Sequence, residues 1–149
     1  MLFRSGAIPI EVTENQCPLY FKHKEYLTDS AGAGQWRGGL SQTIEIANRE
    51  KAPFTISAAT FDRIKNPAQG RDGGKSGRKG VARLGSGKAI PDKGIHVIPT
   101  GDSLVVELPG GGGFGNPQLR SKALLEKDVK AELVSADSAT NDYAGGTST

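Results

Sequence analysis

Three sets of residues could do chemistry in this chain, and spacing decides what each can do. Gly70 to Ser76 reads GRDGGKS and ends in the Gly-Lys-Ser that, in a phosphate-binding loop, sets a lysine and a hydroxyl beside backbone amides. That loop needs four residues between its glycines. The position that would have to open it is Gln69, so the spacing is one short. No buried β run leads straight into the segment and no helical pattern leaves it, as amides aimed at a phosphate require. Gly110 to Gly115, GGGGFG, does satisfy GxGxxG after a strand-like run. No second parallel strand with an acidic end follows at the distance a dinucleotide fold needs. The first segment is therefore expected to be a mobile or partner-ordered loop. The second is expected to be a wide turn that lets a neighbouring chain's backbone come close.

Metal and nucleophile patterns are weaker. Cys17 is the one thiol, His23 and His96 are the two histidines, and no HxxH or CxxC pair joins them. Cys17 reads as a small apolar residue and His23, between Lys22 and Lys24, as a surface group. Asp29, Asp62 and Asp102 border glycine turns, where a carboxylate can orient a substrate or bond nearby amides, the second being the commoner use. No catalytic, cofactor-binding or metal-ligating residue is assigned.

The elements that must position these loops are mostly strands. Ile44 and Ile46 alternate with polar residues in Thr43 to Glu50, and Phe54, Ile56 and Ala58 share one parity in Ala52 to Ile64. A hairpin joining these two runs through Arg49 to Pro53 is expected. Ile95 to Ile98 and Leu104 to Leu108 form two further β-branched runs split by Pro99-Thr100-Gly101-Asp102. After Pro117 the pattern becomes helical, with Leu119, Ala123, Leu124, Val129 and Leu133 at compatible spacings, and Ser135 is placed to cap a second short helix. The predicted fold is mainly β, loop-rich and glycine-rich, with one or two short C-terminal helices. Residues 1–117 form a glycine-rich β domain, 118–144 a helical segment of the same domain, and 145–149 a frayed tail.

Glycine fills 21 of 149 positions and the hydrophobic fraction is 36%, so the core should be thin. A domain of this kind is expected to finish its burial against partner chains. A single cysteine excludes an internal disulfide and suits a reducing compartment. No secretory signal or membrane-spanning run is visible, and the expectation is a soluble, cytoplasmic protein. The net charge is +3, and the basic excess lies in the middle, where Arg71, Lys75, Arg78, Lys79 and Arg83 are interleaved with glycine. Clustered cations suit phosphate backbones, yet no aromatic residue lies between Phe61 and Phe114 to stack bases. Nucleic acid is disfavoured, and a solvated loop or a dock for an acidic partner surface is the preferred reading.

Five segments then carry a resemblance. PIEVTENQCPL (Pro9 to Leu19), DSAGAGQWRGG (Asp29 to Gly39), Asp62-Arg63 followed by PAQGRDGGKSG (Pro67 to Gly77), GDSLVVELPGGGGFGNPQLR (Gly101 to Arg120) and DVKAELVSADSA (Asp128 to Ala139) stand in order and spacing. In this they resemble the C-terminal part of the hydantoinase B/oxoprolinase family. Within that family the chain resembles the small subunit of acetophenone carboxylase. The chain departs from the pattern where Glu132 replaces the glycine before Leu133-Val134-Ser135, and where Tyr143-Ala144 replaces Tyr-Gly, so the tail is expected to pack differently.

The resemblance implies an accessory subunit of an ATP-dependent ketone carboxylase, which joins bicarbonate to an aromatic ketone as a β-keto acid. Its partners would be hydantoinase A-like and hydantoinase B-like subunits, with ATP and a divalent metal on those partners and no cofactor on this chain. Asp29, Trp36, Arg37, Gly110, Gly111, Gly112, Gly113 and Phe114 would form interface or channel turns. Two other readings stay open: a fragment of an N-methylhydantoinase or 5-oxoprolinase-type amidohydrolase, and a non-enzymatic assembly adaptor.

Overall fold

Alternating apolar and polar residues make strands here, and the apolar parity decides which face each strand buries. The computed structural model describes residues 9–58 and 64–143. Residues 59–63 of the expected Ala52 to Ile64 strand, Asp62 among them, Ala144 and the 145–149 tail fall outside them. A short helix, α1 (Ile10–Gln16), precedes β1 (Leu19–Tyr26), β2 (Gln42–Asn48), β3 (Phe54–Ala58), β4 (Val81–Leu84), β5 (Gly94–Ile98) and β6 (Ser103–Glu107). A 3-10 turn (Pro117–Leu119) then leads to α2 (Lys122–Lys130), α3 (Ala136–Ser138) and a terminal π turn (Ala139–Tyr143). The fold is thus mainly β with short helices, as the sequence predicts.

The strands form a four-stranded antiparallel sheet in the order β1-β2-β6-β4 and a separate β3-β5 ribbon. The expected β2-β3 hairpin is therefore wrong. β2 pairs with β1 and β6, while Phe54, Ile56 and Ala58 of β3 face Ile98, His96 and Gly94 of β5. The link between them, where Lys51 takes a φ of 52°, redirects the chain into the second sheet instead of folding it back. Local alternation identified the strands but held no information on their partners. β1 and β4 were not expected. β1 carries Lys22, His23, Lys24 and Glu25, and β4 lies in the basic stretch read as loop.

The ribbon's inner face and the sheet share one core. Ile98 is fully buried and clusters with Ala82, Leu84, Ile90 and Leu104, flanked by Phe54, Ile56, Ile64 and Val106. A second cluster joins Ala33 to Val134 and Tyr143, with Leu125, Val129 and Ala139 against it. On α2 the inward side is Leu125, Asp128 and Val129, whereas Leu119 and Leu124 are exposed. The helix is where the spacing placed it, but its buried face is rotated from the expected one.

Candidate functional site

Three glycine-rich segments far apart in sequence, residues 30–39, 68–78 and 110–115, come together by backbone alone. The Gly32 amide donates to the Gly111 carbonyl (2.8 Å) and the Gly111 amide to Gly39 (2.9 Å). The Lys75 amide donates to Ala33 (2.7 Å), Gly113 to Lys75 (2.9 Å), and Arg71 to Gly113 (2.9 Å). Arg78 donates to Ser30 and Gly110 donates to Arg78, both at 2.9 Å. The result is a three-segment braid in which each part bonds the other two.

The braid explains the glycine content. A Cβ on Gly110 would fall inside the envelope of the Ser30 carbonyl oxygen, and one on Gly112 inside that of Gln69. Neither residue has a positive φ. Close approach is the requirement at both positions, and left-handed backbone is not. This corrects two expectations. GGGGFG is the middle strip of a braid, not a wide turn, and the backbone it admits is this chain's own. GRDGGKS is ordered by its own chain. Its Arg71, Gly74, Lys75, Gly77 and Arg78 amides donate to internal carbonyls, so they do not form the free amide cradle that a phosphate needs. Lys75 itself pairs with Asp142 at 2.5 Å.

On this scaffold Trp36 bridges Phe114 in antiparallel fashion and Arg71 bridges Phe114 in parallel. Directly opposed residues project from the same face, so Trp36, Phe114 and Arg71 stand in one row. Trp36 is 59% exposed and Phe114 48%, and Arg71 is exposed beside them. The arrangement is two aromatic faces and a guanidinium on a backbone that cannot readily give way.

Arg37, next along the chain, points inward. Its Nε donates to Asp128 Oδ2 (3.0 Å) and its Nη2 to Oδ1 (3.3 Å), while Arg120 Nη2 donates to Oδ2 at 2.6 Å. Arg120 also donates to the Gln35 carbonyl (3.1 Å) and lies 5.9 Å from the centre of the Tyr143 ring. Its buried Nε has no hydrogen-bond partner among the described residues. Burial pushes the Asp128 carboxyl up, but the Arg37 and Arg120 guanidiniums outweigh it and hold the group below its ordinary range. Burial raises the Tyr143 phenol. One carboxylate thus ties the Trp36 loop to the C-terminal segment through two cations. Arg120 and Asp128 went unnoticed in the sequence because nothing local marks either as the other's partner.

Asp29, read as bonding nearby amides, reaches a distant one: its Oδ1 accepts from the Ser135 amide at 2.8 Å. Ser135 in turn caps α3 by accepting from the Ser138 amide, as expected. Asp102 accepts from its neighbour Ser103 (2.8 Å) and from Ser86 (3.1 Å). Cys17, His23 and His96 are not brought together. Cys17 donates to the Thr13 carbonyl, His23 sits 3.5 Å from Glu45, and His96 contacts the Lys93 carbonyl. Among the described residues no group of three His, Cys, Asp or Glu could hold a metal ion, and no helix is long and apolar enough to cross a membrane.

With this geometry, likeness to known proteins becomes informative. The model of the hydantoinase B/oxoprolinase family matches residues 2–117. An uncharacterised protein of Methanocaldococcus jannaschii is 38% identical over 138 residues, which is 91% of this chain and 24% of that protein. The caprolactamase subunit beta of Pseudomonas jessenii is 28% identical over 142 residues, 90% of this chain and 24% of the subunit. The crystal structure of the ATP-dependent caprolactamase from that organism aligns with a TM-score of 0.73 at 24% identity, over 91% of this chain and 24% of that one. A nucleotide-free acetone carboxylase aligns with a TM-score of 0.62 at 18% identity, over 91% and 22%. The two structural likenesses are of fold. The chain spans about a quarter of the length of the curated relatives it matches.

Proposed function

This chain belongs to the hydantoinase B/oxoprolinase family, and on that premise we propose that it completes the hydantoinase B-like half of an ATP-dependent multi-subunit enzyme without supplying a catalytic group. The observation that carries this reading is that all three braided segments lie inside the residues matched to the family, 2–117. What the chain contributes is a rigid wall. Asp29 and Arg37 anchor it, Gly110, Gly111, Gly112 and Gly113 stiffen it, and Trp36, Phe114 and Arg71 face outward from it. ATP and its divalent metal bind the hydantoinase A-like partner. A wall of this kind excludes water from a space where a carboxylated phosphate would otherwise hydrolyse.

The substrate we assign is an aromatic ketone, carboxylated with bicarbonate to a β-keto acid, as in acetophenone carboxylase. A second reading, ATP-coupled opening of a cyclic amide, is favoured by the likeness to the caprolactamase subunit beta. Both are tested by one reconstitution, in which hydantoinase A-like and B-like subunits are assembled with and without this chain and ATP hydrolysis is followed. Acetophenone with bicarbonate should stimulate turnover only when the chain is present. Stimulation by caprolactam or 5-oxoproline alone establishes the second reading. Full turnover without the chain overturns the accessory role.

A further inference from the structure

We propose that the open edge of β5 receives an extended strand from the hydantoinase B-like partner, apolar at alternate positions; this rests on the assembly reading above. β5 pairs with β3 alone. On the ribbon's outer face Thr55 and Ser57 of β3 stand opposite Val97 and Ile95 of β5, so the apolar pair falls on the strand whose far edge is unpaired among the described residues. Ile95 is 75% exposed and Val97 63%. Edge strands ordinarily avoid recruiting another chain by means of lysine, proline or a bulge. Between Gly94 and Ile98 β5 has none of these, and its register with β3 is unbroken.

A cavity of about 410 Å³ is lined by Ile95, His96 and Val97 of β5 and by residues of and after β4, Leu84, Lys88 and Ile90 among them. Successive side chains of a strand point to opposite faces, so a cavity that touches three in a row follows the edge of β5. Its far wall is the turn after β4, held where the Leu84 amide donates to Lys88 (2.8 Å) and the Ile90 amide to Ala82 (2.9 Å). The slot therefore offers backbone groups from β5 and a mainly apolar wall that carries one cation, Lys88. Those are the two requirements for adding a strand to a sheet.

The relatives identify the occupant. β3 and β5 lie inside the matched residues, yet the chain corresponds to only 24% of the length of the relatives. Most of the length of those relatives has no counterpart in this chain. A two-stranded ribbon is marginal by itself, and a strand from that remainder would both extend it and cover Ile95 and Val97.

The test titrates the purified hydantoinase B-like subunit against the wild-type chain and against the Ile95→Lys/Val97→Lys variant. Amide exchange is mapped in the wild-type chain, free and bound. The variant should keep the far-ultraviolet spectrum of the free chain and weaken the complex by about 30-fold or more. The amides of residues 94–98 should slow on binding. A complex with unchanged affinity for the variant and no slowing at 94–98 overturns the proposal and leaves the assembly reading standing. Absence of any complex overturns both. A chain that dimerises alone through β5, with the variant monomeric, assigns the edge to a second copy and also overturns the proposal.

Discussion

Asp128 is a buried carboxylate between two guanidiniums, so its removal strands two charges. Asp128→Asn should destabilise the chain by about 3 kcal/mol, read as a lower urea midpoint. The sign with pH follows from its depressed folded pKa. The stability it contributes is complete above the ordinary aspartate value of 3.8 and is lost as pH falls through the lower folded value. The variant's stability should therefore fall less steeply than the wild type's in that acid limb, as denaturant titrations from pH 5 downward would measure. At Lys75, ion-paired to Asp142 above a loop with committed amides, alanine should leave the ATP affinity of the assembled complex nearly unchanged. Calorimetric titration decides this, and a large loss would place Lys75 at a phosphate.

Among the elements, the end of α2 and the braid make opposite demands on glycine. Glu132 takes a φ of 57° while its amide donates to Val129 and the Leu133 amide to Asp128, which is a Schellman ending. The resemblance expects glycine at this position. The turn survives the substitution, with the acid side chain in a conformation L-residues disfavour, and Glu132→Gly should raise stability by about 1 kcal/mol in chemical denaturation. In the braid, Gly110→Ala should cost about 3 kcal/mol because the methyl meets the Ser30 carbonyl. Gly39→Ala, with nothing within 4 Å of its Cβ, should stay within about 0.5 kcal/mol. A shared loss in both variants would refute the close-approach account. This contrast also shows what the sequence could reveal. The strands at Ile44, Phe54, Ile95 and Leu104 were legible because parity is local. The β2-β6 and β3-β5 pairings, the Arg37–Asp128–Arg120 tie and the backbone that Gly112 admits depend on residues tens of positions away, and no local pattern encodes them.

At the scale of the whole molecule, four of the eleven buried apolar residues among those described are alanines (Ala33, Ala47, Ala58 and Ala82), while Trp36, Ile95, Val97 and Phe114 face outward. On the proposed assembly, adding the hydantoinase B-like subunit should raise the melting midpoint progressively with its concentration. A sharp melt of the chain alone that the partner does not move would contradict this. The braid also sets an order of events. Its bonds join Ser30 to Arg78, Gly32 to Gly111 and Lys75 to Gly113, so two long loops must close before most of these bonds can form. Refolding should be limited by that closure, with the comparatively local β1-β2 amides protected early and braid amides late in pulse labelling. During synthesis the consequence is stricter: the bonds that the first two glycine segments make to the third must wait until Gly113 has cleared the ribosome.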